Sequence, residues 1–161
     1  MASGSIIDTR FRLTDQESEE IAEKFGTPTY VISESHFRSK CKEFRASWPG
    51  DISFASKSNT TQALLKIAYQ EGLFIDSAGE GELRMALAAG VPAISCRLHG
   101  NNKSMAELKF AHEVGVGIII VDCFEEIDKL IELRSQTNLL LRVAPGVNPN
   151  TNIKISTGQA D

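Results

Sequence analysis

The chain has 161 residues, of which 42% are hydrophobic and 24% charged, a composition that favours a globular domain with one hydrophobic core over a disordered chain. Its net charge of −4, with no run of basic residues, gives no electrostatic footprint for nucleic acid. No apolar run approaches the about 20 residues that a membrane span requires, so we expect neither a nucleic-acid partner nor a membrane partner.

The N-terminal residues MASGSIID contain neither the basic region nor the apolar region of a secretory signal. The three cysteines, Cys41, Cys96 and Cys123, are far apart and lack C-x-x-C spacing, which argues against a disulfide framework or a zinc site. Both observations predict a protein of the reducing cytoplasm.

Two helices are predicted before residue 50. The first covers about residues 14–24 and begins with the capping-box pattern Thr14-x-x-Glu17. The segment 29–33, Thr-Tyr-Val-Ile-Ser, is rich in residues that favour β-structure and is predicted to be a short strand. The second helix runs from about residue 35 to 48 and ends before Pro49-Gly50.

From residue 52 onward, five apolar strands alternate with helix-length segments; the strands are 52–57, 73–78, 94–100, 118–123 and 138–145. Gly72, Gly90 and Gly115 are suited to left-handed helix ends, and Ser77-x-x-Glu80 and Ser104-x-x-Glu107 match capping boxes. This alternation predicts parallel β-α-β units with right-handed crossovers. It fits either an open doubly wound sheet or the N-terminal part of a (β/α)8 TIM barrel, since a full barrel takes about 250 residues.

Five polar residues lie at the downstream ends of these strands: Lys57, Asp76, His99, Asp122 and Arg142. In a barrel those ends form the rim on which active sites are built. A lysine in a partly dehydrated pocket has a lowered pKa and can form a Schiff base with a carbonyl compound. The alternative for Lys57 is an ordinary surface lysine.

Each of the other four residues also has two interpretations. Asp76 either orients a cofactor and balances the charge of Lys57, or caps the next helix. His99 either contacts a ligand or is a satisfied loop histidine, and Asp122 is expected to cap the helix that begins near Phe124. Arg142, inside a leucine-rich strand, must pair with an anion, a carboxylate or a cofactor.

Two further patterns match phosphate loops only in part. The pair Gly79-x-Gly81 lacks the third glycine of a dinucleotide-binding loop, and the segment 100–104 lacks the glycines of a P-loop. We therefore expect Lys103 to be solvated and Ser104 to cap a helix.

Six segments resemble, in order and spacing, the alanine-racemase-like (fold type III) decarboxylases that depend on pyridoxal 5'-phosphate, most closely the diaminopimelate decarboxylases. The segments are GTPTYV (26–31), FASKSN (54–59), DSAGEGEL (76–83), HGNNKS (99–104), LRV (141–143) and ISTG (155–158). The resemblance covers nearly the whole chain from Phe25. It implies a partial cofactor-binding β/α barrel at 34–161, preceded at 1–33 by a helix and a strand of a separate β-domain.

The resemblance also implies roles for individual residues. Lys57 would carry pyridoxal 5'-phosphate as a Schiff base, with Asp76 close to the cofactor and Arg142 beneath it. His99 and Asn59 would line the same rim. No metal is implied, and the full-length protein would be a homodimer acting on a small amino-acid substrate.

The implied reaction is decarboxylation of an amino acid, first of all meso-diaminopimelate to L-lysine in lysine biosynthesis. Ornithine, lysine or another biosynthetic intermediate are alternative substrates, because Phe54 and Ser58 replace the family's tyrosine and alanine. The rival functions are a racemase, an aldolase without the cofactor, and a non-catalytic barrel fragment that acts as an interaction protein. Family members are more than twice as long, so we expect an N-terminal fragment with an incomplete site.

Overall fold

The computed structural model describes residues 11–146, in which helices and short strands alternate. The helices are α1 Asp15–Phe25, α2 Glu34–Ser47, α3 Gln62–Gln70, α4 Glu80–Ala88, α5 Met105–Val114 and α6 Phe124–Glu132. The strands are β1 Ser53–Ala55, β2 Phe74–Ser77, β3 Cys96–Leu98, β4 Ile118–Val121 and β5 Asn138–Leu141. A 3-10 turn, Ser56–Ser58, follows β1, and a second 3-10 turn, Ala93–Ser95, precedes β3.

The five strands form one parallel sheet in the order β1-β2-β3-β4-β5. Each strand therefore lies beside its sequence neighbours, as in a barrel. A doubly wound sheet reverses its strand order at a switch point and carries helices on both faces. Neither feature is found in the described part of the chain, so the barrel alternative is correct and the open doubly wound sheet is not.

The helices cover only one face of the sheet. Alternate strand residues point to opposite faces, and those that are buried point toward α3 to α6. This helix-side core consists largely of Leu65, Ile75, Leu83, Cys96, Leu98, Leu108, Ile119, Val121 and Leu130. The opposite face, which would be the barrel interior, carries half-buried side chains, including those of Asp76 and Arg97. The charged side chains within the strands, those of Asp76 and Arg97, therefore lie on the face without helices.

The predicted helix ends are mostly confirmed. Both side-chain bonds of a capping box form at Thr14 and at Ser104. Gly72, Gly90 and Gly115 have φ angles of 81°, 84° and 74°, which glycine adopts at little cost. These features depend on residues within a few positions of one another, which is why the sequence predicts them well.

The predicted capping box at Ser77 is wrong. The cap of α4 is Gly79, without a side-chain hydrogen bond, and Ser77 is a fully buried residue of β2. Pairing of Ser77 with Leu98 in the neighbouring strand extends β2 through this position. The strand ladder therefore takes precedence over the local capping pattern.

The predicted strand at 29–33 is also wrong. This segment forms no strand, and the five strands of the described chain pair only with one another. Tyr30 is fully exposed and Ile32 is half exposed. Because β-propensity acts through cross-strand neighbours, residues that favour strands remain irregular where no partner strand lies beside them. Its assignment to a β-domain stays a prediction.

Between residues 11 and 146, no helix is both long enough and apolar enough to cross a membrane.

Candidate functional site

Lys57 lies in the 3-10 turn immediately after β1, at the C-terminal edge of the sheet. Its side chain is exposed, and its amine forms no hydrogen bond or ion pair with any residue in the described range 11–146. The adjacent Ser56 is fully buried, and its hydroxyl donates to Glu82 Oε2 at 2.6 Å while its Oγ also lies 2.9 Å from the Asp76 carbonyl oxygen. The contacts of Ser56 thus fix the turn on its buried side, while the Lys57 amine remains exposed to solvent and to a ligand.

Glu82 was not identified from the sequence, although it joins two edges of the site. Its Oε2 accepts from Ser56 and also from the backbone N–H of Ala78 at 2.8 Å. One carboxylate oxygen therefore connects the turn that carries Lys57 to the loop that follows β2. The nearest signal in the sequence is a glutamate one position before Leu83, which alone does not distinguish it from a surface residue.

The structure brings Asp76 and His99 together. Asp76 lies on the helix-free face of β2, opposite Ala55 and Arg97 in the register. Its Oδ2 lies 3.4 Å from Nδ1 of His99, which follows β3. The other oxygen, Oδ1, is buried and has no hydrogen-bond partner in the described residues. Asp76 does not cap α4, so the capping alternative is excluded and an acceptor atom is left for a ligand.

Asp122 and Arg142 form a second pair at the same edge. Arg142 Nη1 lies 2.8 Å from Asp122 Oδ1, and the Arg142 backbone N–H donates to the Val121 carbonyl at 2.9 Å. The expectation that Asp122 caps α6 is wrong, because Cys123 is the cap and makes no side-chain bond there. Arg142 lies one residue beyond β5 rather than inside it, and its partner among the predicted alternatives is a carboxylate.

A groove of about 390 Å³ lies beside this second pair. It is lined by residues 121–124, Ile127 and residues 141–143. Its walls are mainly apolar, and the charged side chains of Asp122 and Arg142 lie on one side. Such a combination of apolar walls and a few polar groups is typical of small-molecule sites.

Asn59 has a local structural role. Its Oδ1 accepts hydrogen bonds from the Thr61 backbone N–H at 3.0 Å and from Thr61 Oγ1 at 2.6 Å. The side-chain oxygen therefore stabilises the turn that leads into α3. A cofactor contact for Asn59 stays a prediction.

The expectation that Lys103 is solvated is wrong. Its side chain is 1% exposed and its Nζ lies 2.8 Å from Glu126 Oε2, while Glu126 is completely buried. Burial opposes ionisation of Glu126. However, hydrogen bonds from the Lys103 side chain and from the backbone N–H groups of Asp122 and Lys103 outweigh it and keep the pKa of Glu126 below its usual value. The sequence signal for Glu126 was its position four residues before Leu130, on the apolar face of α6.

The polar residues at this edge include the groups that an aldehyde cofactor requires. No cluster of three or more metal-ligating side chains is present in the described residues. The edge presents the primary amine of Lys57 and the Oδ1 oxygen of Asp76, both without a hydrogen-bond partner among residues 11–146. An aldehyde carbon requires such an amine, and a polar cofactor ring requires hydrogen-bond partners of this kind.

Comparisons with known proteins agree on one family. The family model described as the pyridoxal-binding domain of pyridoxal-dependent decarboxylases matches residues 34–161. The chain is similar to diaminopimelate decarboxylases from Bacillus methanolicus, with 40% identity over 151 residues, and from Bacillus subtilis, with 41% identity over 150 residues. Both alignments cover 88% of the chain but only 35% and 34% of the relative.

A solved structure agrees with the sequence matches. The crystal structure of diaminopimelate decarboxylase from M. jannaschii in co-complex with L-lysine superposes with a TM-score of 0.72 and 30% identity. The match covers 96% of this chain and 38% of that protein. The chain therefore spans about a third of the length of the proteins it matches.

Proposed function

Because the chain belongs to the pyridoxal-dependent decarboxylase family through its pyridoxal-binding domain, we propose that it carries the lysine-bearing part of an amino-acid decarboxylase. The cofactor of this family is pyridoxal 5'-phosphate. The observation that supports the proposal most directly is the amine of Lys57, which is exposed at the C-terminal edge of a barrel-type sheet and has no partner in the described part of the chain. That edge is the location of active sites in β/α barrels.

In this proposal, Lys57 would hold the cofactor through Nζ, which condenses with an aldehyde carbon with loss of water. Asp76 offers its unpaired Oδ1 as a hydrogen-bond acceptor, and its Oδ2 orients the imidazole of His99. When bound, pyridoxal phosphate supplies an electron sink for the electron pair that remains when carbon dioxide leaves the substrate. Once free of the cofactor, the Lys57 ammonium group would be a proton donor, at Nζ, to the carbon that has lost carbon dioxide.

Arg142 and Asp122 line the groove at the ends of β4 and β5, on the same C-terminal edge of the sheet as Lys57. Their ion pair holds the guanidinium group in one orientation, so that its remaining N–H groups are available to an acceptor on the cofactor or substrate. Asn59 would support the site indirectly through the turn that it stabilises before α3.

For the substrate, we propose meso-diaminopimelate, with L-lysine as product. This choice is supported by the similarity to the diaminopimelate decarboxylases of both Bacillus species. The active form would be a homodimer in the cytoplasm and would contain residues equivalent to the remaining two thirds of the relatives.

The test is cofactor capture by Lys57. The purified chain, and a chimera that joins it to the remaining part of the Bacillus subtilis relative, are mixed with pyridoxal phosphate, treated with borohydride and mapped by peptide mass spectrometry. We expect a visible absorbance band and a stable label on the Lys57 peptide. Lys57→Ala should abolish the label, and Lys66→Ala, at an exposed position of α3, should retain it.

The substrate is tested separately by carbon dioxide release from the chimera. Release from meso-diaminopimelate, but not from ornithine or lysine, is expected, and it should be lost in Lys57→Ala. Absence of the label from Lys57 in both proteins would refute the cofactor proposal. Labelling with preferential release from ornithine or lysine would retain the family chemistry and refute the substrate.

A further inference from the structure

A buried ion pair lies directly beneath the rim, between the loop after β3 and the loop after β4. Lys103 is 1% exposed and Glu126 is 0% exposed, and their charged atoms are 2.8 Å apart. Removing two charges from water costs several kcal/mol per ion in effective terms. Such a pair is therefore tolerated only where its hydrogen bonds are well satisfied.

All three protons of the Lys103 ammonium group have an acceptor. Besides Glu126 Oε2, Nζ donates to the carbonyl oxygens of Gly100 and Ile120, each at 2.7 Å. The first carbonyl belongs to the loop after β3, and the second belongs to β4. One amine thereby holds both segments at fixed distances.

The carboxylate of Glu126 completes the connection. Its Oε1 accepts from the backbone N–H of Lys103 at 2.9 Å, and its Oε2 accepts from the backbone N–H of Asp122 at 3.0 Å. On the outer side, Lys129 Nζ donates to the Lys103 carbonyl at 2.8 Å. The pair is thus bonded directly to the backbone of Asp122, whose side chain orients Arg142.

The loop around Lys103 has a demanding backbone conformation. Gly100 has a φ angle of 93° and Asn102 a φ angle of 55°, both in the region that residues with a Cβ seldom adopt. Gly100 also lies against the Ala78 carbonyl in the loop after β2. The chain between His99 and Lys103 therefore bends back on itself around the buried amine. Without that amine at its centre, this conformation loses its hydrogen-bond partners.

We infer that Lys103 and Glu126 are positioning residues. They hold the loop that contains His99 and the backbone of Asp122 in the conformation that binds the cofactor and substrate. This inference rests on the proposed function of the rim. A buried ion pair contributes little net stability compared with apolar residues of the same volume, and a role in fixing one conformation is its best-attested use. Fixing two neighbouring loops that carry ligand-facing residues is a role of that kind.

Amide hydrogen exchange tests the inference without depending on activity. The variants are Lys103→Met, which keeps the length of the side chain, and Glu126→Gln, which keeps its shape. Lys109→Met is the matched control, because Lys109 is a surface partner of Glu113 on α5 with 63% side-chain exposure. Peptides that cover residues 99–104 and 120–126 are compared with a reference peptide that covers α3, residues 62–70.

We expect both variants to speed exchange in the two loop peptides by about tenfold or more relative to the α3 peptide, the size expected for the loss of one or two satisfied hydrogen bonds. The control should leave the ratio unchanged. A uniform increase across all peptides would mean that the pair only adds global stability, and this result would overturn the inference. No change in the loop peptides would also overturn it.

Cofactor capture provides the link to the rim. Lys103→Met should require about tenfold more pyridoxal phosphate for half-maximal labelling of Lys57, as is typical when a supporting contact behind a ligand-binding residue is lost. Looser loops with unchanged capture would overturn the link between the pair and the site. If neither the unmodified chain nor its chimera captures the cofactor, the proposed function fails, and the exchange ratio alone still decides whether the pair orders the loops.

Discussion

Gly100 offers a sharp test of the packing between the loops of the rim. It has a φ angle of 93°, and a Cβ atom at this position would overlap the carbonyl oxygen of Ala78. Gly90 has a similar φ angle of 84° but has no atom within 4 Å of the corresponding Cβ position. The two glycines therefore share the backbone requirement and differ in the close approach.

The expected magnitudes follow from these two contributions. In a left-handed conformation, a residue with a Cβ destabilises the folded state by about 1–2 kcal/mol. Its lower entropy in the unfolded chain offsets about 0.4–1 kcal/mol of this loss. Gly90→Ala should thus destabilise by about 1 kcal/mol. Gly100→Ala pays in addition for overpacking, about 1–3 kcal/mol. The difference between the two variants should be about 2 kcal/mol.

Urea unfolding monitored by circular dichroism measures this difference. With a denaturant slope of about 2 kcal/mol per M, Gly100→Ala should unfold at about 1 M less urea than Gly90→Ala. Gly117→Ala provides a third point, because its Cβ would overlap the Ile94 carbonyl without a positive φ angle. It should be destabilised by overpacking alone. Equal midpoints for Gly100→Ala and Gly90→Ala would refute the argument that the loops after β2 and β3 are in contact at this point.

Three further predictions concern acid stability, thiol reactivity and the core. Hydrogen bonds, first of all from the cap backbone N–H, hold the pKa of Glu107 below its usual value. In acid, the unfolded chain therefore binds more protons than the folded protein, and the free energy of unfolding should fall as pH drops from about 5 through the lowered pKa. Glu107→Gln should reduce the slope of the free energy of unfolding against pH. An unchanged slope would contradict this prediction. Burial raises the pKa of Cys96 to about 11, so a thiol reagent at pH 8 should label the half-buried Cys123 faster than Cys96. Equal labelling rates of the two cysteines, measured by mass spectrometry, would contradict the buried position of Cys96. Leu98 is fully buried, and Leu98→Ala should lower the free energy of unfolding by about 2–5 kcal/mol. Leu140 is 48% exposed, and Leu140→Ala should lower it by under about 1 kcal/mol in the same urea titration. Similar losses of stability in the two variants would contradict the assignment of the core to the helix side.

The sequence predicted much of the fold and part of the candidate site. The alternation of strands and helices was readable because apolar periodicity reflects which face of each element is buried. The caps at Thr14 and Ser104 were readable because their partners are three residues away. The placement of Lys57 and Asp76 at the ends of β1 and β2 followed from the same alternation.

Other features depended on residues that are distant in the sequence. Lys103 looked like a solvated loop lysine because its partner, Glu126, is 23 residues away. Asp122 looked like a helix cap, although Arg142 lies close enough in the fold to pair with it. In both cases the partner is distant in the sequence, so local patterns carry no signal for the contact.

The sequence by itself determined the kind of element at most positions and the chemical groups at the strand ends, because apolar periodicity and caps are local properties. Tertiary structure decided the barrel-type strand order and the pairing of Asp76 with His99, because parallel strands align residues that are about 20 positions apart. It also decided that residues 29–33 form no strand, because a strand exists only where another backbone supplies its hydrogen-bond partners.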